Sequence, residues 1–192
     1  MLSERQEQII EESIKLIADK GIQGFTIKNL SKAIGFSEPA IYRHFNSKTD
    51  IISAILEKFL IIAAFLSKET SESNSSAFEK IAFIIKQMIN MFTETPSLVP
   101  VIFSEEIFKN ETALKEKIIT ILNKDKETIE RIISEGQKNG EFRTDIDEKT
   151  LTLTVMGSLR LLVKKWDLEN RKFNLKKESD LLISALNKIL TV

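Results

Sequence analysis

From Thr26 to Lys48 the chain reads TIKNLSKAIGFSEPAIYRHFNSK, a stretch rich in groups that can meet a polyanion. It holds hydroxyls, the only tyrosine and the only histidine. Between Gly21 and Lys48 four cations (Lys28, Lys32, Arg43 and Lys48) stand against the single acid Glu38. The whole chain has 28 basic and 28 acidic residues, so overall charge argues for nothing and only this local patch points to nucleic acid. Other chemistries lack their parts. With no cysteine there is no disulfide framework, thiolate metal site or cysteine nucleophile. One histidine, no glycine-rich phosphate loop and no paired metal ligands speak against an enzyme, and no cofactor or metal is expected.

The elements that must carry this patch are short helices. Ile27, Leu30, Ala33 and Ile34 recur at helical spacing and stop at Gly35, which suits the left-handed residue that closes a helix. A second helix can start at once. Ser37 or Glu38 offers its cap, Pro39 fits a first turn where an N–H has no partner, and Ile41 and Phe45 form a four-residue apolar step. Two short helices joined by a glycine turn make a helix-turn-helix. A preceding helix, capped by Ser3 with Gln6 and ending at Gly21, offers Ile10, Ile14, Ile17 and Ala18 to cover them.

No alternating run suggests a strand, so the chain reads as all-α, with roughly nine helices. Residues 1–47 form a three-helix helix-turn-helix domain. Residues 48–192 form a larger helical domain. A helix from Lys48 to about Ser67 joins them, followed by a polar loop to Ser76. The helix from Ala77 to Phe92 is apolar on nearly every side and must be covered or line a cavity. A short helix from about Val101 to Phe108, a long one from Thr112, and two more over roughly Glu148–Lys165 and Lys176–Leu190 complete the chain. Trp166 falls in the connection between the last two. The polar N-terminus lacks the apolar core of a secretory signal, and the run Phe59–Leu66 is far shorter than the roughly 20 residues of a membrane span. A soluble, cytoplasmic protein is expected.

The segment GIQGFTIKNLSKAIGFSEPAIYRHFNSKTDI resembles the TetR-type transcriptional regulators in its glycine and threonine before helix two, its Gly-hydrophobic-Ser turn and its Tyr-x-His-Phe-x-x-Lys ending. The resemblance covers about the first quarter of the chain. It implies a homodimeric DNA-binding protein whose second and third helices read a palindromic operator and whose C-terminal part dimerises, commonly around a small-molecule pocket.

On that reading Thr26, Tyr42, His44 and Lys48 contact phosphates. Ser37, Glu38, Ala40 and Arg43, beside Pro39 in the first turn, face base edges; arginine suits guanine and alanine a thymine methyl. Glu38 either accepts from a cytosine amine or caps the helix. Lys28 and Lys32 either meet the backbone or form a solvated face. In the body, Leu153, Met156, Gly157, Arg160, Leu161 and Lys164, with Leu181, Leu182, Ala185, Leu186 and Ile189, form stripes suited to a four-helix dimer face or to packing within one subunit. Phe83, Met88, Met91, Phe92, Phe103, Phe108, Met156 and Leu159 either border a cavity for an apolar effector, with Glu105, Glu106 and Arg160 as polar anchors, or are plain core. A ligand-released repressor is the leading expectation. The alternative is a DNA-bound regulator acting through a protein partner, since SEPAIYRHFNSKT is similar to the same tract of nucleoid-occlusion regulators.

Overall fold

Ser3 sets the start of the first helix. Its Oγ accepts from the Gln6 N–H at 3.3 Å, and the Gln6 Oε1 accepts from the Ser3 N–H at 2.9 Å, the reciprocal pair that satisfies two donors at a helix start. The computed structural model describes residues 2–103 and 111–191. Among them are nine α-helices, one 3-10 turn and no strand. Phe108, with Glu105 and Glu106, lies outside the described residues.

Helix α1 (Glu4–Gly24) is interrupted by Gly21, whose φ of 66° a side-chain-bearing residue adopts only with strain. Its buried face includes Ile9 and Leu16 beside Ile10, Ile14 and Ile17, wider than a single stripe. Helices α2 (Ile27–Ile34) and α3 (Glu38–Tyr42) follow; α1 packs on α2, and α2 on α3. Helix α4 (Lys48–Glu72) runs one and a half turns beyond Ser67, with Ile51, Ile52, Ile55, Leu56 and Phe59 buried.

Two compact units result: Met1–Ile61 with Ser97–Ile121, and Ile62–Pro96 with Leu122–Val192. The first gains α6 (Val99–Ile102), which packs on α1, and the first part of α7 (Thr112–Lys138). There Lys117 Nζ reaches α4, donating to the Ser53 Oγ at 2.9 Å and pairing with Glu57 Oε2 at 2.8 Å.

In the second unit α5 (Ala77–Glu94) packs on α8 (Glu148–Leu168) and α9 (Leu175–Leu190). No apolar side chain of α5 is exposed, as a helix apolar all round requires. Arg131 of α7 donates to Thr70 Oγ1 of α4 at 3.2 Å. Gly136 permits a close approach: a Cβ there would sit 2.5 Å from Phe142 Cδ2 and 2.8 Å from Ala77 Cβ. Trp166 belongs to α8 and not to the connection after it, because its indole N–H donates to the Phe173 carbonyl at 3.0 Å and the ring is buried.

Candidate nucleic-acid interface

Local sequence sets the frame of the head. Thr26 Oγ1 accepts from the Asn29 N–H at 3.1 Å and caps α2, while Asn29 Nδ2 donates to the Gly24 carbonyl at 2.8 Å and pins the corner before it. Gly35, at φ 78°, closes α2 in the left-handed conformation, and the N–H groups of Gly35 and Phe36 both donate to the Ser31 carbonyl. Ser37 is the cap of α3, its Oγ accepting from the Ala40 N–H at 3.3 Å. Glu38 is therefore not the cap. Its carboxylate is exposed in the first turn.

The recognition helix is held from behind. Ile41 is fully buried and Phe45 is 8% exposed. Two contacts from the start of α1 brace the same corner: Gln6 Nε2 donates to the His44 carbonyl at 3.3 Å, and the Arg5 guanidinium lies 5.0 Å from the centre of the Phe36 ring. Glu38, Pro39, Tyr42 and Arg43 are exposed on the outer side of this short helix, with Ala40 half-buried among them. Helix α3 has five residues and ends at Tyr42; His44 lies beyond it, half-buried, with its N–H on the Ile41 carbonyl. The sequence places His44 on the helix because the Ile41–Phe45 step continues, but the chain turns off before that step is complete. Thr26, Lys28 and Lys32 are exposed.

Lys48 differs from the other cations. Its Nζ donates to the Ile22 carbonyl at 3.2 Å and lies 5.3 Å from the centre of the Phe25 ring. Burial pushes the ammonium below the usual lysine pKa, while the charge of Glu111 pulls it back. Gln6, Arg5 and Phe25 escape a reading of the patch alone; the capping box at Ser3 signals only where α1 starts.

The expected body residues are divided. Phe103 belongs to the first unit, and Phe83, Met88, Met91, Phe92, Met156 and Leu159 to the second. Phe92 is 1% exposed and the other five are half-buried. A cleft of about 660 Å³ lies elsewhere, in the first unit, lined among others by Leu2, His44, Ala54, Glu57, Ile61 and Lys117. On α8 and α9, Leu153, Leu161 and Leu181 are 72%, 69% and 59% exposed, and Gly157, Arg160, Ala185 and Ile189 are exposed with them. Leu182 is half-buried. Leu186, expected on the same outer face, turns inward with Leu175, Ile183 and Leu190 and packs within the subunit.

Comparison with known proteins agrees with the fold. The family profile described as "Bacterial regulatory proteins, tetR family" matches residues 9–55, and that described as "YsiA-like protein, C-terminal region" matches residues 57–188. The chain is 22% identical over 179 residues to the fatty acid metabolism regulator protein of Bacillus subtilis (strain 168), spanning 93% of this chain and 92% of that one. It is 27% identical over 119 residues to the nucleoid occlusion factor SlmA of Glaesserella parasuis serovar 5 (strain SH0165), spanning 61% of this chain and 58% of the relative. Among solved structures, the transcriptional regulator FadR from Bacillus subtilis in complex with stearoyl-CoA superposes with a TM-score of 0.80 at 24% identity, covering 94% of this chain and 96% of the other. The fatty acid degradation regulator FadR from Bacillus halodurans gives a TM-score of 0.82 at 22% identity, covering 98% and 95%. At these identities the two structures show a shared fold. The C-terminal profile alone spans more than half of the chain, and together the two profiles show that the chain belongs to the TetR family of DNA-binding transcriptional regulators.

Proposed function

We propose that the chain is a homodimeric repressor, with residues 1–47 of each copy reading half of a palindromic operator and residues 48–192 pairing and binding an effector through its apolar chain. The observation that carries the reading head is the exposed set at α3, Glu38, Tyr42 and its closing residue Arg43, together with the exposed Thr26 that caps α2. Arg43 offers two donors to guanine, and Ala40 offers its methyl to thymine. Ser37 accepts from Ala40 and keeps its own hydroxyl proton for a base edge. Because Ser37 caps α3, the Glu38 carboxylate is left to accept from a cytosine amine. Thr26, Lys28, Tyr42 and His44 flank these as phosphate contacts.

Leu153, Gly157, Arg160 and Leu161 of α8, with Leu181, Leu182, Ala185 and Ile189 of α9, are the proposed pairing face. Three of these leucines are more than half exposed in the single chain, an arrangement that a second copy would relieve. A monomeric mass by light scattering at micromolar concentration would remove this face from the proposal.

For the effector we take a long-chain acyl-CoA. Similarity to a fatty acid metabolism regulator over nearly the full length of both chains supports the class, as do the half-buried Phe83, Met88, Met91, Met156 and Leu159. Phe92 stands behind them in the core. Fluorescence anisotropy of labelled operator should show release by stearoyl-CoA and none by coenzyme A alone. Equal retention with both compounds sinks the effector. The matches to nucleoid occlusion factors support a second reading, a nucleoid-bound regulator working through a protein partner. Binding at many chromosomal sites, with no response to acyl compounds, would favour it.

A further inference from the structure

Lys48 opens α4 at the edge of the reading head, where a cation suits a phosphate. In the DNA-free protein its ammonium is held by partners within the chain. It donates to the carbonyl of Ile22, 26 residues earlier, and lies over the ring of Phe25, which is fully buried. Ile22 follows the kink at Gly21, and α1 has no basic side chain in its last turn to meet its carbonyl end. Phe25 immediately precedes Thr26, the cap of α2. One side chain thus joins the end of α1, the ring before α2 and the first turn of α4. Drawing the ammonium out to a phosphate would break a charge-assisted hydrogen bond, uncover the Ile22 carbonyl and lose the ring contact.

We propose that Lys48 is a positioning residue: it latches the first turn of α4 to the α1–α2 corner and so holds Thr26 and the start of α2 in the geometry that meets DNA. The proposal rests on the DNA-reading function given above. Residues 48–61 of α4 belong to the same compact unit as that corner, so the latch makes the start of α4 and the Thr26 cap move as one piece. A phosphate clamp acts only when DNA is present. A latch acts also in its absence, and this difference separates the two.

The test uses the full-length protein and two variants. Lys48→Met removes the charge and keeps the stem, whereas Phe25→Leu removes the ring face and keeps the charge. Operator affinity is measured from low to moderate salt. Backbone amide exchange is followed in the DNA-free protein at Asn29 and Leu30, whose N–H groups donate to Thr26. Both variants should bind about tenfold more weakly with the wild-type dependence on salt, and both should exchange faster at these amides. A salt slope lower by about 0.9 in Lys48→Met, the signature of one lost phosphate contact, overturns the proposal. Wild-type exchange at Asn29 and Leu30 in Lys48→Met also overturns it. If circular dichroism shows Lys48→Met unfolded, Phe25→Leu decides, because a free clamp would leave its affinity unchanged or raised. Absence of sequence-dependent binding by the wild type would defeat the DNA-reading function, while amide exchange would still decide the latch.

Discussion

Arg43 and Asp125 show how differently single residues declare themselves. Arg43 is exposed at the end of α3, and Arg43→Ala should weaken binding to the specific operator by about 1–3 kcal/mol and relax one base position. Selection from random DNA checks this; an unchanged base preference would remove Arg43 from the reading role. Its exposed place at the end of α3 was legible because a helix-turn-helix is written in near neighbours: the glycine, the cap and the two apolar anchors fall within ten residues of it. Asp125 gave no such signal. It sits on α7 half-buried, and burial raises its carboxyl pKa from 3.8 to about 6. The folded form therefore keeps a proton that the unfolded chain loses between these values, and Asp125 subtracts stability as pH rises through that window. Asp125→Asn should leave stability nearly unchanged below pH 3.8 and add on the order of 2 kcal/mol above about pH 6, read from denaturant melts across pH. Burial depends on packing from distant parts of the chain, so the sequence of α7 alone, with its mixed charges, reads as solvated here.

At the scale of the element, what was legible is what is local. The caps at Ser3, Thr26 and Gly35 and the span of α5 follow from residues within a turn or two, and the structure has them there. Faces were less legible than spans. Leu182, Leu186 and Ile189 share a stripe on paper, yet Leu186 is 1% exposed and Ile189 39%, because only the neighbouring helices decide which edge of the stripe is covered. Trp166 reads as part of a charged connection until its indole finds the Phe173 carbonyl across the turn. Lys48 is the same case at the binding site, since its partners lie 26 and 23 residues away. Gly136 on α7 is a position where an element tolerates little. Gly136→Ala should cost about 1–3 kcal/mol, because Phe142 and Ala77 occupy the space a methyl needs. Thermal melting measures it, and a wild-type midpoint would show that the two side chains move aside freely.

For the whole molecule, the proposed repressor requires two copies, and the variant that separates folding from pairing is on α8. Leu161 is 69% exposed in the single chain, so Leu161→Glu should leave the helical content and melting of the subunit nearly intact while shifting the mass toward monomer. Its affinity for a full operator should fall to that of a half-site, a loss visible in a gel shift with paired and single half-sites. The division into two compact units, with α4 contributing to both, was not legible, because hydrophobic periodicity runs without a break through Ile61 and Ile62. The exposed leucines of α8 and α9 have a further consequence in the cell. If the protein is mostly monomeric at its working concentration and pairs through them reversibly, the operator-competent form grows as the square of the number of copies synthesised. A cell that halves its supply of this regulator would then lose about three quarters of the competent form, so dilution by growth would act as an inducer in its own right.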